Sequence, residues 1–91
     1  MTNNKILKNV LKQMKKSIDF SLQWEKADRA KIRMSPNRIT LIPLFVFMSR
    51  NGFLSEQEQL LRLIDRPELL SGQVISFYNR KKNLRIDVEL T

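Results

Sequence analysis

The chain has 91 residues, 42% of them apolar, with two glycines, three prolines, no cysteine and no histidine. That length supports a single domain with a thin stability margin, and the apolar share suffices for a core, which excludes disorder of the whole chain. Seventeen lysines and arginines face nine aspartates and glutamates, a net +8 with a pI near 10.3, so the chain favours a polyanion: nucleic acid, an acidic protein surface or anionic lipid.

Without cysteine no disulfide or thiolate metal site can form, which fits a reducing cytoplasm. Without histidine the commonest general base and the commonest metal ligand are both missing. The longest apolar run, LIPLFVFM at residues 41–48, is interrupted by Pro43 and falls short of the ~18 residues of a membrane span. The N-terminal stretch has no continuous apolar segment of the signal-peptide kind, so a cytoplasmic location is expected.

In chain order, residues 4–33 read as a long basic amphipathic helix. Ile6, Leu7, Val10, Leu11, Met14, Ile18 and Leu22 recur at spacings of three and four, and Lys5, Lys8, Lys12, Lys15 and Lys16 take the other faces. The stripe thins after Leu22, although Trp24, Ala27 and Ile32 can extend it, so a bend around residues 20–26 is the alternative. The stripe is expected to pack on the domain. Pairing with a second copy as a homodimer, or lying on a membrane surface through Phe20 and Trp24, are the other readings.

Ser35 as cap and Pro36 in the first turn predict a second helix running to about Arg50. Pro43 inside it implies a kink or a fresh helix start, with RITLI as a strand the fallback. Gly52 closes the element in a positive-φ conformation. Ser55 and Glu58 form a capping box for a third helix carrying Leu60, Leu61, Leu63 and Ile64, which Pro67 and Gly72 then break. The expected core is Leu44, Phe45, Phe47, Leu60, Leu61 and Ile64; Phe45, Phe47 and Met48 as an exposed partner patch is the alternative.

The C-terminal LRIDVEL, residues 84–90, alternates strictly between apolar and polar, the pattern of a half-buried strand. VISFY upstream is rich in β-branched and aromatic residues, and NRKKN between them suits a turn, giving a β-hairpin with a basic tip. A helix over residues 67–82, with Leu70, Val74 and Phe77 on one face, competes, but Gly72 opposes it.

The order helix, capped helix, hairpin over residues 36–90 resembles a winged-helix domain. In that arrangement the hairpin wing touches backbone or minor groove and a helix enters the major groove. Only residues 67–71 remain for a recognition helix, a departure from the pattern. QVISFYNRKKN is also similar, over eleven residues, to the end of a homeodomain recognition helix, matching at Phe77, Asn79, Arg80 and Lys81. Ser76 replaces that family's Trp, and Pro67 and Gly72 do not suit it. The resemblance implies Asn79 on a base and Arg80 on a phosphate; the hairpin reading is preferred to it, with the likeness taken as chance.

The expectation is therefore one α+β domain, mainly helical: about three helices plus a C-terminal β-hairpin, with a winged-helix-like order as an option. Residues 1–36 carry a net +6 and residues 37–91 a net +2. The function read from this is non-catalytic nucleic-acid binding by a small regulator or accessory factor of bacterial, plasmid or phage type. Lys8, Lys12, Lys15 and Lys16 on the first helix, with Arg80, Lys81, Lys82 and Arg85 at the hairpin, are the expected phosphate contacts. The alternative is an adaptor or inhibitor docking on an acidic or nucleoprotein partner. No cofactor, metal or catalysis is expected: Asp65, Glu68 and Asp87 sit in ordinary contexts, and two glycines cannot build a phosphate-cradling loop.

Overall fold

The computed structural model describes residues 2–55 and 65–91, with side chains from residue 5 onward. The first helical stripe holds only to Ile18. Helix α1 spans Thr2–Lys15, and Leu7, Leu11, Met14 and Ile18 are buried. Beyond it the period changes from 3.6 to 2. Phe20, Leu22 and Trp24 alternate with polar residues, and so do Ala30, Ile32 and Met34, on either side of an Ala27–Asp28 turn. These residues form strands β1 (Ser21–Lys26) and β2 (Arg29–Met34), paired antiparallel with an irregularity between Trp24 and Lys26. The expected helix over residues 4–33 is thus a helix followed by a hairpin.

Helix α2 spans Arg38–Arg50. Its cap is Asn37, whose Oδ1 accepts from the Thr40 amide at 3.0 Å, and not Ser35; Pro36 lies before the cap. Pro43 sits inside an unbroken helix. It forfeits the bond to the carbonyl of Ile39, a residue 85% exposed, so water can satisfy that oxygen. The end is a Schellman motif. The Phe53 amide donates to the Met48 carbonyl at 2.8 Å, the Gly52 amide to the Ser49 carbonyl at 3.1 Å, and Gly52 has φ +79°.

After α2 come β3 (Leu54–Ser55), a 3-10 turn (Pro67–Leu70), β4 (Val74–Asn79) and β5 (Leu84–Leu90). The expected capped helix with Glu58, Leu60, Leu61, Leu63 and Ile64 lies outside the described residues. The strands make one mixed sheet in the order β1-β2-β5-β4-β3. Among the described strands only β2 and β5 run parallel, with Ala30 opposite Ile86 and Ile32 opposite Val88.

This architecture overturns the mainly helical, winged-helix-like expectation. The chain is α+β with a five-stranded sheet as its organising layer. The C-terminal hairpin is not a wing at the margin: β5 lies between two strands at the middle of the sheet. Residues 74–79 are strand, which also removes the homeodomain likeness, since Asn79 and Arg80 are not on a helix. Gly72, with φ +85°, begins the return into β4.

One face of the sheet is apolar. Ala30, Ile32, Met34, Ile75, Phe77, Leu84, Ile86, Val88 and Leu90 meet Leu7, Leu11 and Met14 of α1 and Leu41, Leu44 and Met48 of α2 in a single core. Phe45 and Phe47 are half-buried against it, and the Phe45 ring lies 6.0 Å from Phe77. The opposite face carries Lys31, Arg33, Ser76, Arg85, Asp87 and Glu89.

The β4–β5 turn depends on Asn79, a buried polar residue. Its Nδ2 donates to the Asn51 carbonyl at 3.0 Å and its Oδ1 accepts from the Lys82 amide at 3.1 Å, tying the turn to the end of α2. Asn83 closes the turn with φ +55°, a conformation Asn tolerates. Asn79→Ala strands both backbone groups and should cost about 1–3 kcal/mol, read as a lower urea midpoint with an unchanged m-value.

Candidate functional site

Four of the eight expected contact residues meet in one place. Lys8, Lys12, Lys15 and Lys16 line a groove of about 450 Å³ between α1 and strand β1, together with Leu11, Phe20, Leu22 and Trp24. The geometry follows from two periods. On α1 a spacing of four puts Lys8 and Lys12 along one flank, beside the buried Leu7–Leu11–Met14 stripe, and Lys16 follows in the turn just past the helix. On β1 a spacing of two turns Phe20, Leu22 and Trp24 to the helix side. Because β1 is an edge strand, nothing beyond it completes their burial, and Leu22 and Trp24 remain 42% and 37% exposed.

The ends of the groove differ. Phe20 is buried, capped by Lys15, whose Nζ stands 4.5 Å from the ring centroid and donates to the Phe20 carbonyl. At the other end the Trp24 ring is open. No carboxylate lines the groove among the described residues. Glu25 points the opposite way by strand alternation, toward Arg85, whose charge it helps to sustain.

Arg80, Lys81 and Lys82 form a second cationic group. They surround a concavity of about 390 Å³ with Asn51, Gly52, Leu54, Tyr78 and Asn79, and Arg80 lies 6.0 Å from the Tyr78 ring. The β4–β5 turn and the β1–β2 turn occupy the same end of the sheet, linked by the Arg85 amide donating to the Asp28 carbonyl at 3.0 Å. Trp24 lies toward that end. Trp24 is thus two to three strand spacings, roughly 10–15 Å, from the β4–β5 turn.

Arg85 does not join them. It lies on the polar sheet face, with Nε 2.8 Å from Asp87 Oδ1 and its guanidinium 5.2 Å from the Tyr78 ring. The Asp87 hydrogen bond holds its pKa above the ordinary arginine value against partial burial. Ser76 Oγ donates to the same Asp87 oxygen at 2.7 Å. Asp87 is buried and held by both, so this cluster is an ion pair within β5, tied to β4 through Ser76, and not an open anion site.

Beside it, Glu89 receives Lys31 at 3.0 Å and Arg33 at 2.7 Å. The Lys31 hydrogen bond, with Arg33 in support, pulls the Glu89 pKa below the usual carboxylate range despite some desolvation. A lowered native pKa contributes stability above the unfolded-state value of about 4.3, lost as pH falls through the native value. Glu89→Gln should therefore be less stable than the parent at pH 7, with the gap narrowing as pH falls through the lowered native value, as followed by urea denaturation over a series of acidic pH values.

The apolar half of the groove was not among the sequence-predicted contacts, because Phe20, Leu22 and Trp24 were assigned to a helix. Their strict alternation was the available signal. Among the described residues no helix is long and apolar enough to cross a membrane, and no three acidic side chains gather as a metal site. Comparison of the chain with protein-family models, curated proteins and solved structures returns no match.

Proposed function

We propose that this protein is a non-catalytic nucleic-acid-binding protein, a small regulator or accessory factor of bacterial, plasmid or phage type acting in the cytoplasm. The observation that carries the reading is the α1–β1 groove: four lysines around an aromatic floor, without a lining carboxylate among the described residues. Backbone phosphates take the lysines, and the part-exposed Trp24 and Leu22 offer a surface for a base or sugar. The Arg80–Lys82 turn, toward the same end of the sheet, extends the contact to a second point on the polymer.

Such binding weakens steeply with salt. The log–log slope is roughly −0.9 per phosphate neutralised on duplex DNA and −0.7 on single strands. Replacing Lys8, Lys12 and Lys16 together with Ala should make the slope shallower by about 2–3 units, measured by fluorescence anisotropy at several salt concentrations. Lys15 is spared because it caps Phe20. The triple substitution of Arg80, Lys81 and Lys82 with Ala should lower affinity further without unfolding the domain, as read by circular dichroism. A salt-independent affinity in the parent protein rules the reading out.

A second reading, an adaptor for a protein partner, is favoured by α2. Ile39, Ile42 and Val46 form an exposed apolar stripe opposite the buried Leu41, Leu44 and Met48. A helix apolar on both sides is ordinarily covered on both. If a protein partner is the function, Ile42→Glu with Val46→Glu abolishes its co-purification after nuclease treatment, whereas oligonucleotide affinity stays at the parent value.

A further inference from the structure

We infer that the α1–β1 groove takes single-stranded nucleic acid in preference to duplex, with a base seated on Trp24. The inference rests on the nucleic-acid reading above and narrows it to one class of polymer.

The groove has two parallel ladders of different chemistry. Along α1, Lys8 and Lys12 stand about 6 Å apart, four residues at 1.5 Å each, and Lys15 and Lys16 follow at the helix end. Along β1, Phe20, Leu22 and Trp24 recur at nearly the same interval, two residues at about 3.3 Å each. Helix and strand run antiparallel here, since Lys15 sits on Phe20 and the chain turns back directly into β1. Lys15 therefore marks the Phe20 end, and the lysines of the earlier turns line the same groove toward Leu22 and Trp24. The site repeats a cation beside an apolar platform at one short interval.

A ligand matching that repeat carries a negative charge and an exposed apolar or π face in each unit. A single strand has both, a phosphate and an unstacked base. A duplex presents the phosphates but keeps its base faces stacked inside, so it meets the lysines and leaves the floor unused. Of the platforms, Phe20 is occupied by Lys15, which leaves Leu22 and Trp24 as the open ones. Of these two only Trp24 carries a π face, and the lysines lining the same groove hold the adjoining phosphate. A Glu-rich peptide supplies charge in each unit without a flat face to stack on the indole.

Trp24 is the chain's one tryptophan, so its emission reports directly on the floor of the groove. The experiment titrates the full chain with an unstructured single-stranded oligonucleotide, the matching duplex, and a Glu-rich peptide, at low and moderate salt. Anisotropy of labelled ligands is read in parallel with Trp emission. The expected result is quenching of Trp24 and the tightest binding by the single strand, with duplex binding weaker and leaving the emission unchanged. Trp24→Ala should weaken single-strand binding about tenfold, equivalent to ~1.4 kcal/mol, and leave duplex binding unaltered. Trp24→Phe, which keeps a π face, should restore most of the loss and guards against a folding defect in the Ala variant. Equal affinity for single strand and duplex, with unchanged Trp emission, overturns the inference while leaving the nucleic-acid reading in place. Quenching by the acidic peptide, with neither nucleic acid binding, overturns both.

Discussion

The parallel pairing of β2 with β5 is the contact on which the rest of the structure depends. Parallel neighbours cannot be joined by a tight turn. The chain leaves β2 at Met34 and rejoins it at Leu84, so α2, β3 and β4 all lie within one crossover. Before β5 arrives, β1–β2 is a two-stranded hairpin under one helix, an arrangement of marginal stability in water. With β5 in place, Ile86, Val88 and Leu90 fill the row beside Ala30, Ile32 and Met34, and both helices gain a common floor. On the other face Glu89 of β5 reaches back to Lys31 and Arg33 of β2, so the seam is fastened on both sides.

That seam also decides where a site can form. Because β5 takes the inner side of β2, β1 is left as the sheet edge, and Leu22 and Trp24 fall where cover from α1 runs out. An exposed edge strand with apolar side chains invites pairing with another copy. The lysines of α1 overhang that edge, and their mutual repulsion between copies opposes such pairing. The same side chains that would hold a polyanion therefore keep the unliganded groove from closing on itself. Arg80, Lys81 and Lys82 occupy a turn rather than an edge, held by Asn79 to the end of α2, so the second cationic group is placed by the fold independently of β1.

What the sequence made legible was local. Helical spacing from Ile6 to Ile18, the alternation from Leu84 to Leu90, the basic turn between two strands and the positive φ of Gly52 each depend on residues within one or two turns of chain. The failures were of two kinds. Residues 20–34 hold apolar side chains at spacings of two, but Ile18 and Leu22 are also four apart, so the helical stripe could be continued across the true boundary. Asn37 took the cap from Ser35 because its side chain reaches the Thr40 amide, a choice between two capping residues, one on either side of Pro36, that composition does not decide. The parallel pairing was not legible at all. It joins segments far apart in the chain, and a strand's own pattern states which face is buried without naming its neighbour. The groove was half visible for the same reason: its lysines belong to one helix, whereas its floor exists only once residues 20–24 are a strand.

The distribution of charge ties these points together. The five lysines of residues 5–16 and the three basic residues of the turn at 80–82 number eight, equal to the net charge of the chain. The remaining nine basic side chains are matched by nine acidic ones. On the sheet's polar face that balance is built from contacts: Arg85 with Asp87, and Lys31 and Arg33 with Glu89. Electrostatic matching there costs little, because paired charges on a half-exposed face need only neighbours of opposite sign. The excess is held apart from it, on one helix and one turn, where lysines repel one another across short distances and weaken the isolated fold. Solubility alone is served as well by charges scattered singly over the surface. Concentrating eight cations at two places, one of them over an apolar floor, carries a self-repulsion that a bound polyanion removes.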